Sequence, residues 1–140
     1  MKIEDMSYED LAEHIKFIKD VKIGVTGNLE RRIGFHRKEN HKFDYVKTWE
    51  VKYPYAVESL IKERHYKDDF CNWGSEWYGD LSDEYLKKLE NDIDEIIKDY
   101  SPKELKEWLP NGARAQRKKG FVYLGIATKA SVRIIDGEVV

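Results

Sequence analysis

The side chains of this sequence that are best suited to chemistry are Arg32 and His36, which lie four residues apart. The segment before them, residues 21–26, alternates apolar residues with Lys22 and Gly24, and this alternation predicts a strand. The helix predicted after the strand places Arg32 and His36 on one face, within reach of each other. A guanidinium and an imidazole that follow a tight turn are suited to an anionic group such as phosphate.

The turn between this strand and this helix is Thr26-Gly27-Asn28, and residues of these types favour turns. The triplet offers a backbone position with positive φ at its glycine, and Asn28 is suited to cap the helix. At Gly24 we expect the backbone to come close to substrate or to a neighbouring strand.

The 140 residues are enough for one domain, residues 1–140, with a sizeable core. Charged residues make up 37% of the chain, above the average of about 25%. The net charge of −2 favours no class of partner by itself. The charges are segregated, however: residues 31–47 hold six Lys/Arg against two Asp/Glu, and residues 76–99 hold nine Asp/Glu against three Lys. Residues 103–133 are basic again, so we expect a polarised surface.

Cys71 is the single cysteine, so no intrachain disulfide can form, and a reducing intracellular compartment is the simplest expectation. No apolar run approaches the ~20 residues of a membrane span, and the charged N-terminus lacks the apolar region of a signal peptide. We therefore expect no membrane partner.

Hydrophobic periodicity, capping residues and turn residues predict a mixture of helices and strands. The predicted helices cover residues 7–19, 28–38, 55–67, 82–100 and 101–109, and the predicted strands cover residues 21–26, 45–53, 120–127 and 132–135. Between them, Phe70–Gly79 is predicted to be an aromatic loop in which Trp73 and Trp77 form a hydrophobic lid over the core.

Several of these segments together resemble a known family. Val21-Lys22-Ile23-Gly24-Val25-Thr26, followed by Glu30-Arg31-Arg32-Ile33 and by His36, resembles the second half of the GIY-YIG nuclease signature. The closest likeness is to its compact phage and bacterial branch, in which lysine replaces the second tyrosine and gives a KIG strand. Ala56-Val57-Glu58 and Glu76-Trp77-Tyr78 fit motifs of the same branch.

The first half of that signature, a strand with Gly-aliphatic-Tyr, is missing before Lys22. The best Gly-x-x-Tyr strand is Gly120-Phe121-Val122-Tyr123, at the far end of the chain. We hypothesise that the fold is circularly permuted, so that this strand pairs beside residues 21–26 and brings Tyr123 within reach of Arg32. The alternative is a degenerate first strand and an inactive site.

The resemblance implies an α+β fold, with a small mixed or antiparallel sheet of about three to four strands flanked by helices. It also implies one divalent metal ion, Mg²⁺ or Mn²⁺, held by Glu58, with Glu63 as the alternative if the register differs. Few further protein ligands are expected, because Mg²⁺ commonly keeps several waters.

The resemblance gives each remaining site residue a role. Arg32 would bind phosphate, and His36 would donate to phosphate or transfer a proton. Lys22, at the position of the second tyrosine, would bind phosphate or act as a general base with a depressed pKa. Tyr123 would orient or deprotonate the attacking water.

Nucleic-acid binding is expected from the two basic stretches, Arg31–Lys47 and Arg114–Lys119. The candidate binding residues are Arg31, Arg37, Lys38, Lys118 and Lys119. Tyr45, Trp49 or Trp73 would be stacking or wedge groups, although aromatic residues at strand spacing more often belong to a core.

The leading hypothesis is a metal-dependent endonuclease that hydrolyses DNA in the cytoplasm of a bacterial cell or a phage-infected host. A homodimer, a protein partner or the C-terminal basic segment would supply specificity. A catalytically inactive nucleic-acid-binding or regulatory protein is the first alternative. The second is a phage-type inhibitor that uses the acidic face of residues 80–99.

Overall fold

The structure is a computed structural model that describes residues 2–65, 77–78, 82–131 and 134–139. Its helices are α1 (Tyr8–His14), α2 (Leu29–Glu39), α3 (Pro54–Arg64), α4 (Asp83–Asp99) and α5 (Pro102–Lys106). Its strands are β1 (Lys16–Thr26), β2 (Asp44–Lys52), β3 (Trp77–Tyr78), β4 (Lys119–Ser131), β5 (Ile134–Ile135) and β6 (Glu138–Val139). The predicted α+β fold, a small sheet flanked by helices, is confirmed.

The first four strands form one antiparallel sheet in the order β2-β4-β1-β3. β4 pairs with β1 along the full length of β1, from Lys16 opposite Ser131 to Thr26 opposite Phe121. β4 also pairs with β2 on its other edge. The predicted pairing of residues 120–126 with residues 21–26 is therefore confirmed, and a strand near the end of the chain lies inside the sheet.

The two faces of the sheet carry different layers. One face packs against α3 and α4 in a core that has fourteen buried members among the described residues, including Val21, Ile23 and Val25. The opposite face carries Tyr123, which packs with side chains of α2. Because side chains alternate along a strand, Lys22 and Gly24 lie on the face toward α2. This alternation separates the candidate site residues of β1 from the main core.

The predicted helix over residues 7–19 is correct only in its first half. Ser7 caps α1 in a reciprocal capping box with Asp10, but the helix ends at His14. β1 begins at Lys16, and its first residues pair with the distal half of β4. Backbone pairing between segments more than a hundred residues apart outweighs the local helical spacing.

The predicted aromatic loop is wrong at one end. Trp77 and Tyr78 form β3, which pairs with Lys22 and Val21 of β1. Trp73 and the other residues of the predicted lid before Trp77 lie outside the described residues, as does Gly79.

α2, α4 and α5 begin where their capping residues predict, and α3 begins one residue before the predicted start at Tyr55. Asn28, Ser82 and Ser101 each accept a hydrogen bond from the backbone N–H three residues later. α3 begins at Pro54, directly after Tyr53 in a left-handed conformation with φ of 51°. Within the described residues, no helix has the length and hydropathy to cross a membrane.

Near the end of the chain, β5 and β6 form a hairpin whose turn is Asp136-Gly137. Both turn residues have positive φ, 52° and 75°, as the two-residue turns of tight hairpins require. The Asp-Gly turn signal is thus confirmed, and β6 is a strand that the sequence did not predict.

Candidate active site

Tyr123 lies at the centre of the candidate site, and the pairing of β1 with β4 places it there. Its backbone is opposite Gly24, and its side chain is fully buried. A Cβ added to Gly24 would overlap the Tyr123 ring and hydroxyl. Gly24 therefore leaves the space in which the ring crosses β1 toward α2.

The Tyr123 hydroxyl contacts two side chains of α2. Arg32 donates from Nε to Tyr123 Oη at 3.2 Å, and His36 Nε2 lies 2.8 Å from the same oxygen. Arg32 and His36 are one helical turn apart, as the sequence predicts. When His36 carries its proton on Nδ1, the hydroxyl accepts from Arg32 and donates to His36. We call these three residues the Tyr123 cluster.

Phe43 and Tyr45 hold this cluster from the side of β2. The rings of His36 and Phe43 are 4.3 Å apart, and those of Tyr45 and Tyr123 are 5.2 Å apart. Tyr45 donates its hydroxyl to the carbonyl of Leu29 at 2.7 Å. Burial raises the pKa of the Tyr45 phenol, although Arg32 acts in the opposite direction. These contacts give Tyr45 a structural role in the α2 layer.

Trp49 lies on the other face of the sheet from Tyr45, because the pairing register shifts between Tyr45 and Lys47. Trp49 is buried in the main core and donates Nε1 to Asp94 on α4 at 2.7 Å. The structure thus uses Trp49 in the core, the more common role for an aromatic residue at strand spacing.

A cationic cleft opens beside the cluster, where β1 ends and α2 begins. Its volume is about 370 Å³, and the described residues of its lining include three arginines and no carboxylate. The lining residues are Thr26, Gly27, Asn28, Arg31, Arg32, Phe35 and Arg117. We call this the arginine cleft. Its charge and its donors suit the phosphates of a nucleic acid.

Arg117 is the charged residue of this lining that the sequence analysis did not single out. Arg117 belongs to the basic stretch 114–119, in which the sequence analysis selects Lys118 and Lys119 as the candidate DNA-binding residues. A Cβ added to Gly27 would overlap the Arg117 guanidinium. The prediction of a positive φ in this turn is wrong, because Gly27 is not in the left-handed region. Gly27 instead gives Arg117 access to the turn.

A second, smaller cleft of about 180 Å³ lies along α2. It is lined by Lys22, Arg32, Phe35, His36 and Glu39. Lys22 and His36 are largely buried, with 9% and 8% of their surfaces exposed. The structure thus brings Lys22 to the same cleft as Arg32 and His36, as the sequence predicts.

Glu58, the predicted metal ligand, lies on α3, which packs on the opposite face of the sheet from Tyr123. Its side chain is 12% exposed and pairs with Lys62 Nζ at 3.3 Å. Glu58 lines neither of the two clefts, so the described contacts do not group it with Arg32 and His36. Within the described residues, His, Cys, Asp and Glu form no group of three or more that could hold a metal. The role of Glu58 stays a prediction, as does that of Glu63, which is exposed.

The other predicted DNA-binding residues on α2 lie at different places on the helix. Arg31 is exposed and lines the arginine cleft. Arg37 donates Nε to the Phe43 carbonyl at 3.1 Å and pairs with Asp44 at 3.5 Å. Lys38 Nζ lies 5.2 Å from the centre of the Phe35 ring. Only Arg31 of these candidates lines the cleft.

Lys118 and Lys119 are exposed where the chain enters β4. The Lys118 carbonyl accepts a hydrogen bond from the Tyr53 N–H at 2.9 Å. Neither lysine lines the arginine cleft. DNA contacts by these two side chains remain predictions.

Comparison with protein families finds that the T5orf172 domain model matches residues 4–109. The chain belongs to the T5orf172 domain family. This phage-associated domain is found in proteins related to HNH and GIY-YIG-like endonucleases. The T5orf172 domain suggests a nuclease-like or DNA-interacting role. Comparisons with curated proteins and with solved structures give no match.

The residues that match the T5orf172 model include only part of the candidate site. Arg32, His36 and Glu58 lie within residues 4–109. Tyr123 and Arg117 lie beyond the matched residues, on or just before β4. This T5orf172 domain therefore completes its sheet and its candidate site with a segment that the family match does not include.

Proposed function

We propose that this protein is a metal-dependent endonuclease that hydrolyses DNA phosphodiester bonds, built as a single circularly permuted GIY-YIG-like domain. The observation that carries the proposal is the Tyr123 hydroxyl, held between Arg32 and His36 at the edge of the arginine cleft. The tyrosine comes from a Gly-x-x-Tyr strand that pairs beside the KIG strand. This pairing is what the permutation hypothesis required.

Arg32 has the central role in this proposal, because it lines both clefts and bonds to Tyr123. Its guanidinium would neutralise charge on the phosphoryl oxygens as the phosphodiester is attacked. Tyr123 is fully buried, so we assign it a positioning role: it fixes the guanidinium of Arg32 and the imidazole of His36. Lys22 would add positive charge to the smaller cleft.

Glu58 is the residue that would hold Mg²⁺ or Mn²⁺. The ion would polarise the phosphoryl group and favour ionisation of the attacking water. His36, at the wall of the smaller cleft, would donate to a phosphate oxygen or transfer a proton through its imidazole.

The test is nicking of a supercoiled plasmid with Mg²⁺ or with Mn²⁺. The wild type should convert the plasmid to the nicked form, and Arg32→Ala should lower the rate by about 10²-fold or more. Glu58→Ala should abolish metal-dependent nicking. Lys87→Ala is the control: it removes an exposed cation that lies outside both clefts and outside both basic stretches, and it should nick at close to the wild-type rate. If the wild type does not nick the plasmid with Mg²⁺ and does not nick it with Mn²⁺, the proposal is overturned.

A catalytically inactive DNA-binding protein is the second candidate. Tyr123 is fully buried and Glu58 is paired with Lys62, features that a purely structural role would also produce. Salt-sensitive DNA binding without nicking would favour this candidate.

An inhibitor that docks through the acidic face of residues 80–99 has less support. On α4, Glu90 and Asp94 pair with Lys47, at 3.5 and 3.1 Å. Asp92 contacts His65 at 2.8 Å. These acidic groups therefore hold α4 to the rest of the protein.

A further inference from the structure

The position of Arg117 is built into the turn that it covers. Its guanidinium occupies the space where any side chain at position 27 would begin. Gly27 has no positive φ that would itself require glycine. The glycine at position 27 therefore provides the space that the Arg117 guanidinium occupies.

The segment that carries Arg117 is anchored on both sides. Before it, Arg114 Nε donates to the Tyr55 hydroxyl at 3.0 Å, and after it, the Lys118 carbonyl accepts from the Tyr53 N–H at 2.9 Å. A Cβ at Gly120 would lie 3.4 Å from Arg117 Cδ, so the aliphatic part of the side chain passes close to β4. Because the segment is anchored on both sides of Arg117, its backbone loses less conformational entropy when the arginine binds a ligand.

Arg31, Arg32 and Arg117 bring three positive charges to one cleft, and none of the described residues that line it is a carboxylate. Like charges that share a cleft repel one another, and an anion bound between them relieves this repulsion. Guanidinium groups match phosphate oxygens through paired N–H donors. The chemistry of the cleft therefore selects a phosphate ligand over a neutral one.

We propose that Arg31 and Arg117 form a second phosphate subsite over the Thr26–Asn28 turn. It binds the DNA-backbone phosphate next to the one that contacts Arg32. The division of roles follows from the contacts: Arg32 bonds to Tyr123, whereas Arg117 covers the turn. This inference rests on the proposed function in taking DNA as the ligand, but it concerns binding and requires no cleavage.

The experiment measures binding of a fluorescently labelled DNA duplex by anisotropy, in EDTA and over a series of salt concentrations. Arg117→Gln should weaken binding about 3–10-fold and reduce the slope of log K against log salt by about one, because one phosphate contact is lost. Lys87→Gln is the control, since it removes an exposed cation of α4 that lines neither cleft and lies outside both basic stretches. It should leave the salt slope nearly unchanged.

Gly27→Ala tests the geometry without changing the charge. The added methyl group would displace only the end of a flexible side chain, so the melting temperature should stay close to that of the wild type. The Gly27→Ala protein should bind the DNA duplex more weakly than the wild type, as the Arg117→Gln protein does. If Gly27→Ala does not fold, Arg117→Gln decides the outcome alone.

The outcomes separate this inference from the proposed function. An Arg117→Gln protein with the wild-type affinity and salt slope would overturn the second subsite, even if the wild type nicks plasmid. A similar loss in Lys87→Gln would also overturn it, because the effect would then be one of overall charge. Binding that depends on Arg117 in a wild type that never nicks DNA would overturn only the endonuclease. A wild type that binds no DNA would overturn both.

Discussion

The Tyr123 ring crosses β1 at Gly24, and this contact links the stability of the sheet to the geometry of the site. The expectation that the backbone comes close to another group at Gly24 is confirmed, and the group is the ring of a neighbouring strand. A similar contact occurs two residues further along β4, where a Cβ on Gly125 would overlap the Phe43 ring. Both glycines admit an aromatic ring into the layer between the sheet and α2.

Gly24→Ala is therefore expected to destabilise the protein by about 1–3 kcal/mol, because the ring and its hydroxyl have to move. Gly34→Ala is the control: Gly34 lies inside α2, and a Cβ there would meet no atom within 4 Å. We expect this second substitution to stabilise the protein by about 0.5–1 kcal/mol through helix propensity. Urea unfolding of both variants tests the pair, and equal midpoints for Gly24→Ala and wild type would contradict the packing described.

At the scale of single residues, the sequence allowed the α2 side of the site to be predicted. The spacing of Arg32 and His36 is a property of one helix, so local periodicity is sufficient. Tyr123 could be placed beside them only through a hypothesis about strand pairing. Arg117 could not be chosen from its basic neighbours, because its position depends on how the segment before β4 passes over Gly27.

The boundary between α1 and β1 shows that capping residues and helical spacing predict where a helix starts but not always where it ends. The Ser7 cap fixes the start of α1, and the prediction was correct there. The end of α1 was wrong, because β1 extends to Lys16 through pairing with β4. Long-range pairing also explains why Trp77 belongs to a strand.

β2 and α4 are joined by a polar contact at the edge of the main core. Asp94 accepts from Trp49 Nε1 at 2.7 Å and from Lys47 Nζ at 3.1 Å. The hydrogen bond from Trp49, supported by Lys47, lowers the pKa of the Asp94 carboxyl. Hydrogen bonding to Asp94 in turn raises the pKa of Lys47. The contact is therefore favourable while both groups are charged.

The direction of each shift gives the pH range of this contact. The contribution of Asp94 is present above the ordinary carboxyl pKa of 3.8 and is lost as the pH falls through its lower folded value. The contribution of Lys47 is present below the ordinary pKa of 10.5 and is lost as the pH rises through its higher folded value.

Asp94→Asn should lower the melting temperature by a few degrees at neutral pH. The difference from the wild type should begin to shrink as the pH falls below the ordinary carboxyl pKa of 3.8, and it should vanish once the pH has passed the lower pKa of the folded Asp94 carboxyl. Asp99→Asn, an exposed position on the same helix, is the control and should change little. Thermal unfolding from pH 3 to 7 measures the effect. A difference that does not depend on pH would contradict the assignment.

For the whole molecule, order in the chain and order in space differ. β4 is encoded late, yet it lies between β2 and β1 and supplies Tyr123 to the site. The T5orf172 match ends at residue 109, before this strand. The matched region therefore lacks the strand that joins β1 to β2.

A chain that ends at Leu109 is expected to lose cooperative unfolding, because β1 and β2 would have no common partner. A chain that ends at Ser131 is the control, since it retains β4 and lacks the β5–β6 hairpin. It would also lose the hydrogen bond from Ile3 N–H to the Gly137 carbonyl, so a modest drop in melting temperature is expected. Calorimetry of the two chains tests this, and a sharp transition in the shorter one would contradict the topology.

The central claim is that the far end of the chain completes a phosphodiesterase site by placing the Tyr123 hydroxyl between Arg32 and His36. The most direct test is the initial rate of Mg²⁺-dependent plasmid nicking by Tyr123→Phe, with folding verified by thermal unfolding. Loss of the hydroxyl removes the hydrogen bonds that position Arg32 and His36, and the rate should fall about tenfold or more while DNA affinity changes little. A folded Tyr123→Phe protein that nicks plasmid at the wild-type rate would contradict the account.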